Sequence, residues 1–198
     1  MSARSISPDG RRIAFSRLDS SSGNDLWTLP LDLSDPDRPK PGEPELFLRE
    51  PGEQANPVFS PDGRWIAYSS LSGTVTQVFV RPFPNTPSAG KWQISTNGGT
   101  FPVWSRNGKE IWYFAPDNRV MVVSCIAKGA SLAPDKPRLW SPAPIIGAGL
   151  VAWNFDLAPD GKRILALPAT PMSEGDEKGS VHVTVLLNFF DELKRRLP

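Results

Sequence analysis

The segment Ser7-Pro8-Asp9-Gly10 returns as Ser60-Pro61-Asp62-Gly63, and in looser form as Ser105-Arg106-Asn107-Gly108 and Ala158-Pro159-Asp160-Gly161. The copies lie roughly fifty residues apart, and recurrence at such an interval marks a chain built from repeated structural units. The flanks recur too. A large apolar residue precedes each copy (Ile6, Phe59, Trp104, Leu157), a basic residue follows each glycine (Arg11, Arg64, Lys109, Lys162), and an isoleucine stands three places beyond it (Ile13, Ile66, Ile111, Ile164). Proline presets the backbone for the second position of a tight turn, Asp or Asn at the third bonds the local backbone, and glycine accepts the left-handed conformation that ends it. Each copy therefore predicts a strand, a tight turn and a second strand, with the two flanking apolar residues paired on one face.

Further strand-like runs follow each turn. In the first unit they are Leu26-Trp27-Thr28-Leu29 and Glu45-Leu46-Phe47-Leu48. The second has Gln77-Val78-Phe79-Val80 and Lys91-Trp92-Gln93-Ile94, and the third has Val120-Met121-Val122-Val123 and Arg138-Leu139-Trp140. With 22 prolines and 16 glycines in 198 residues, the chain is too rich in breakers for a helical protein. Its 39% hydrophobic content argues against disorder. An all-β fold of about four units, each of four short antiparallel strands, is the signature of a β-propeller. A β-sandwich does not by itself require the same turn at the same place in every unit. The expected blades cover approximately 1–49, 50–96, 97–141 and 142–187, with a short C-terminal helix in the tail 188–198. The fourth unit shows no outer strand, which predicts a partial or open propeller: the C-terminal part of a larger one, or a truncated relative. Missing blades would come from an upstream segment or from self-association.

Pro57-Val58-Phe59-Ser60-Pro61-Asp62-Gly63-Arg64-Trp65-Ile66-Ala67-Tyr68 resembles the repeat of TolB-like, WD-type β-propellers. Val80-Arg81-Pro82-Phe83-Pro84, the stretch from Lys91 to Gly99, Pro102-Val103-Trp104-Ser105 and the ending Val183 to Lys194 resemble a narrower group. These are the propellers found C-terminal to bacterial serine/threonine protein kinases. The resemblance implies a sensor or scaffold module and an extracytoplasmic position. No kinase catalytic loop is present, so the activity of those kinases does not carry over.

Composition narrows the function further. Lys and Arg number 22 against 21 Asp and Glu, and no basic face stands out, so nucleic acid is not an expected partner. No apolar run approaches the length of a membrane span, and no signal peptide is evident. The lone histidine, His182, lies in a strand-like Val-His-Val run with no Gly-x-Ser-x-Gly segment, which leaves no catalytic triad. One cysteine, Cys125, and one histidine cannot form a thiolate metal site. Asp9, Asp62 and Asp160 fall one to a unit and read as turn caps rather than calcium ligands. The basic column beside them reads as largely neutralised by those carboxylates. The sequence thus predicts no catalytic residues, metal or cofactor, and the tryptophans read as packing between blades. A binding surface is expected where connections between blades gather around the axis, at 51–56, 97–101 and 141–153. The candidates are Gln54, Asn56, Thr100, Phe101, Trp153 and Asn154, facing a protein or small ligand. The rival readings are an accessory propeller of a serine peptidase or hydrolase, and a degenerate fragment without a function of its own.

Overall fold

A computed structural model describes residues 2–20, 22–35, 38–86, 90–129, 131–141, 144, 155–158, 160 and 163–166. The expected C-terminal helix, His182, Trp153 and Asn154 lie outside these. Among the described residues every regular element is a strand. The first sheet holds β1 (Ser2–Ile6), β2 (Arg12–Asp19), β3 (Gly23–Asp32), β4 (Lys40–Pro41) and β5 (Glu45–Leu48). The second holds β6 (Glu53–Phe59), β7 (Trp65–Ser72), β8 (Val75–Pro82) and β9 (Trp92–Gln93). The third holds β10 (Thr100–Trp104), β11 (Glu110–Phe114), β12 (Val120–Lys128), β13 (Ser131–Pro134) and β14 (Arg138–Leu139), and the fourth holds β15 (Phe155–Leu157) and β16 (Ile164–Ala166). All pairings are antiparallel.

The repeated turn sets the register of every sheet. Ile6 pairs with Ile13, Phe59 with Ile66, Trp104 with Ile111 and Leu157 with Ile164. Within the turns Gly10, Gly63 and Gly108 have φ of 73°, 72° and 69°. Each donates its N–H to the serine carbonyl three residues earlier. The serine carries a role that the spacing alone does not reveal. The Ser60 hydroxyl donates to Asp62 Oδ1 at 2.6 Å and accepts from the Trp65 amide at 3.0 Å. Ser7 and Ser105 do the same in their own turns. Ser60 and Trp65 are both buried, so Ser60→Ala strands an amide away from water. It should cost about 1–3 kcal/mol, read from the shift in urea midpoint.

Sheets 1 and 3 carry a fifth strand beyond the four expected. Their third strands outrun the outer strand, and the overhanging C-terminal half takes another partner: β3 pairs with β4 as well as β5, and β12 with β13 as well as β14.

Strand alternation sends neighbouring residues into two different cores. On β7, Ile66 and Tyr68 face the first sheet, packing with Ala14, Leu26, Phe47 and Leu48. Trp65 and Ala67 face the third sheet, joining Trp104, Ile111 and Tyr113. On β11, Ile111 and Tyr113 look back at sheet 2, whereas Trp112 and Phe114 look forward to Leu157 of sheet 4. Sheets 2 and 3 are therefore covered on both faces, each lying between two neighbours. The turns keep the same order. A Cβ on Gly63 would lie 3.5 Å from Pro8, and one on Gly108 would lie 3.8 Å from Pro61. The inner strands β1, β6 and β10 adjoin one another, and the Phe59 amide donates to Ser5 Oγ across the gap at 3.1 Å.

Candidate functional site

Four of the six predicted rim residues are described. They sit in inner strands rather than in the preceding loops, since β6 begins at Glu53 and β10 at Thr100. The strands start early because each takes up an extra residue. Register slips between Ala55 and Val58 in β6, and between Thr100 and Val103 in β10. Within those bulges Asn56 and Phe101 have φ of 55° and 53°. Both stand three residues before the apolar residue of the turn, so they are the same position in successive units. Asparagine tolerates the left-handed region. A phenylalanine there is an outlier that the surrounding packing must hold in place.

Asn56, Thr100 and Phe101 converge on one hydroxyl. Ser69 Oγ, on β7, accepts from Asn56 Nδ2 at 3.4 Å and from the Phe101 amide at 3.2 Å, and shares a 3.3 Å bond with Thr100 Oγ1. Asn56 and Phe101 are each only 6% exposed. Arg4 of the first inner strand reaches the same place, its guanidinium 5.9 Å from the centre of the Phe101 ring. Three sheets thus meet at the leading ends of their inner strands in a polar cluster with an aromatic wall. Neither Ser69 nor Arg4 carries a signal in the sequence that points to this site. Ser69 sits mid-strand in the run Tyr68-Ser69-Ser70-Leu71, and nothing in its spacing distinguishes it from Ser70.

Gln54 is placed differently from its expected role. It is 0% exposed. Its amide nitrogen donates to the Glu50 and Gly52 carbonyls at 3.1 and 2.9 Å, and its oxygen accepts from the Glu50 amide at 3.3 Å. Those bonds tie down the linker from sheet 1 to sheet 2, which leaves the side chain as a clamp within the chain rather than a group turned toward a ligand.

At the opposite end, between the turns of sheets 2 and 3, lies a cleft of about 960 Å³. Asp62, Arg64, Asn107, Lys109, Ser124 and Ile126 are among the residues that line it. Burial raises the Asp62 carboxyl, but the Ser60 hydroxyl and Arg64 outweigh it and hold the group below its ordinary range. Cys125 borders the cleft yet is buried. That burial, with smaller contributions from Asp135 and Glu110, pushes its thiol up to about 12. A thiol so rarely ionised is a poor nucleophile. Among the described residues no group of three or more His, Cys, Asp or Glu side chains is placed to hold a metal ion.

No protein-family model matches the sequence, and no curated protein matches it significantly. Solved structures do. The chain is similar to a protein described as TolB from Agrobacterium tumefaciens, at 18% identity and a TM-score of 0.53 over 84% of this chain and 58% of that one. It is similar to TolB from Acinetobacter baumannii, at 15% identity and a TM-score of 0.56 over 85% and 38%. It is also similar to the periplasmic gluconolactonase PpgL of Pseudomonas aeruginosa, at 18% identity and a TM-score of 0.50 over 80% and 47%. At these identities the likeness is one of fold, and the chain spans between 38% and 58% of the length of these neighbours. Sheets packed face to face in series about adjoining inner strands are the blades of such proteins, and the described residues form an open arc of a TolB-like β-propeller.

Proposed function

We propose that this chain is a non-catalytic recognition module. Its binding surface is the axial mouth formed where the inner strands begin, and it serves as the sensor or scaffold part of a bacterial signalling kinase. The observation that carries the reading is the repeated bulge. Two successive blades hold a non-glycine residue at φ near +55° in the same place, at a cost of roughly 1–2 kcal/mol for the phenylalanine and less for the asparagine. Strain and bulges of this kind concentrate where backbone is shaped for a ligand. Asn154 stands at the equivalent position of the sequence in the fourth unit, three residues before Leu157, and Trp153 precedes it. The occupant is a protein or a small ligand, with no cofactor. The sequence resemblance to kinase-linked propellers supports the sensor role.

The double variant Asn56→Gly, Thr100→Val tests the surface, because glycine accepts the left-handed backbone and valine matches threonine in shape. It should unfold within about 1 kcal/mol of the unmodified chain. It should also lose at least tenfold in affinity for whatever protein or ligand the unmodified chain retains. Equal retention by both would overturn the reading.

The gluconolactonase neighbour favours a second reading, a propeller that belongs to a hydrolase. Hydrolysis of glucono-δ-lactone above the buffer rate, with and without divalent cations, separates the two. The recognition reading expects no acceleration.

A further inference from the structure

We infer that the cleft between the turns of blades 2 and 3 is a second binding site, distinct from the axial mouth, and that it takes an organic carboxylate with an apolar body. The argument begins with one substitution inside the repeat. Three of the four turns carry an aspartate at their third position; the blade 3 turn carries Asn107. In blade 2 the aspartate answers the basic residue that follows it. Asp62 Oδ2 accepts from Arg64 Nε at 2.8 Å, while Oδ1 caps the turn amide at 3.1 Å. In blade 3 Asn107 keeps the cap, accepting from the Lys109 amide at 2.9 Å, but it brings no charge. Among the described residues nothing pairs with the Lys109 ammonium, and Arg106 adds a second positive charge to the same turn.

The rest of the cleft sharpens this imbalance. Its acceptors are largely engaged: Asp62 by Ser60 and Arg64, Asn107 Oδ1 by Ser105 and Lys109, and Glu110 Oε1 by Arg138 at 2.9 Å. Its remaining side-chain donors include the Lys109 ammonium, the Asn107 amide NH₂, the Ser124 hydroxyl and Nη2 of Arg64, all on residues lining the same space. Spare donors beside an uncompensated cation suit a ligand group that only accepts and is negatively charged. Apolar lining comes from Pro61, Ala127 and Ile126, the last of them 56% exposed. The β12–β13 hairpin is held over the space from the blade 2 side, where Arg64 Nη1 donates to the Gly129 carbonyl at 3.4 Å. A volume of about 960 Å³ accommodates a molecule well beyond a bare anion.

The test titrates the isotope-labelled full chain with 1-naphthoate and, separately, with the neutral alcohol 1-naphthalenemethanol, following backbone amide shifts. Naphthoate should saturate shifts at 61–64, 107–110 and 124–127, and bind at least tenfold more tightly than the alcohol. Lys109→Ala should lose at least tenfold. Asn107→Asp, which restores the residue the other turns use and supplies Lys109 with a partner, should lose a similar factor while folding normally. The axial variant Asn56→Gly, Thr100→Val should bind naphthoate as the unmodified chain does, so this proposal and the axial one fail separately. Equal affinity for acid and alcohol, unchanged affinity in both turn variants, or shifts confined to other regions would each overturn it.

Discussion

Tyr68→Ala is expected to cost about 3–5 kcal/mol, the range for truncating a large buried aromatic. Tyr68 is 0% exposed, and its ring packs among Ile66, Phe59 and the first-sheet residues Leu26 and Leu48. It is therefore a key fitting one blade to the next rather than part of a core belonging to a single blade. The loss should be local in character. Amide exchange should accelerate first in β2 and β3, which lose their cover, before it does so in β11 and β12. Tyr68→Phe keeps the ring and removes only a buried hydroxyl that has no hydrogen-bond partner among the described residues, so it should shift stability by less than about 1 kcal/mol. Urea unfolding of both variants, with exchange measured on the first, separates a lost packing surface from a lost hydroxyl.

The second large effect is electrostatic. Glu50 lies in the linker between blades 1 and 2, and its two oxygens accept from Arg81 Nη2 and Lys91 Nζ, each at 2.6 Å. Burial acts to raise the Glu50 carboxyl, but the bonds from Lys91 and Arg81 outweigh it, and the group ends below the ordinary glutamate range. A carboxyl whose folded value lies below its unfolded value stabilises fully above the unfolded value. That contribution fades as pH falls through the folded one. Stability should therefore drop on acidification below the ordinary glutamate range, and Glu50→Gln should flatten that part of the curve. At neutral pH Glu50→Ala should cost about 2–4 kcal/mol, because it leaves the largely buried Arg81 without its partner. Urea midpoints measured from pH 7 to pH 3 for the three proteins provide the check. Parallel curves would show that Glu50 contributes nothing to the acid limb.

Much of this architecture was legible because the repeated turn constrains the strands on both sides of it. Ile6 with Ile13 and Phe59 with Ile66 could be paired from spacing alone, and the structure pairs them. The flap strands β4 and β13 could not. Lys40-Pro41 has no alternation, and it is a strand only because β3 runs past β5. The axial cluster was half legible. Asn56, Phe101 and Asn154 were in register in the sequence, but a bulge changes the backbone without changing the spacing, so the left-handed conformation of Asn56 and Phe101 did not show. Ser69, which joins these two, carries no pattern. The bonds of Gln54 were not legible for a general reason: a polar residue near a loop looks available, whereas this glutamine satisfies the linker's own backbone.

Contacts between the turns put the arrangement of blades to the plainest trial. Each glycine turn should touch only the turns of the blades next to it in series. A proton NOE spectrum of the intact chain should contain cross-peaks from Pro8 Hδ to Gly63 and from Pro61 Hδ to Gly108, with none from Pro8 to Gly108. Absence of the two serial cross-peaks, or contacts between alternate turns as in two stacked sheets, would contradict the propeller and remove both proposed binding sites with it.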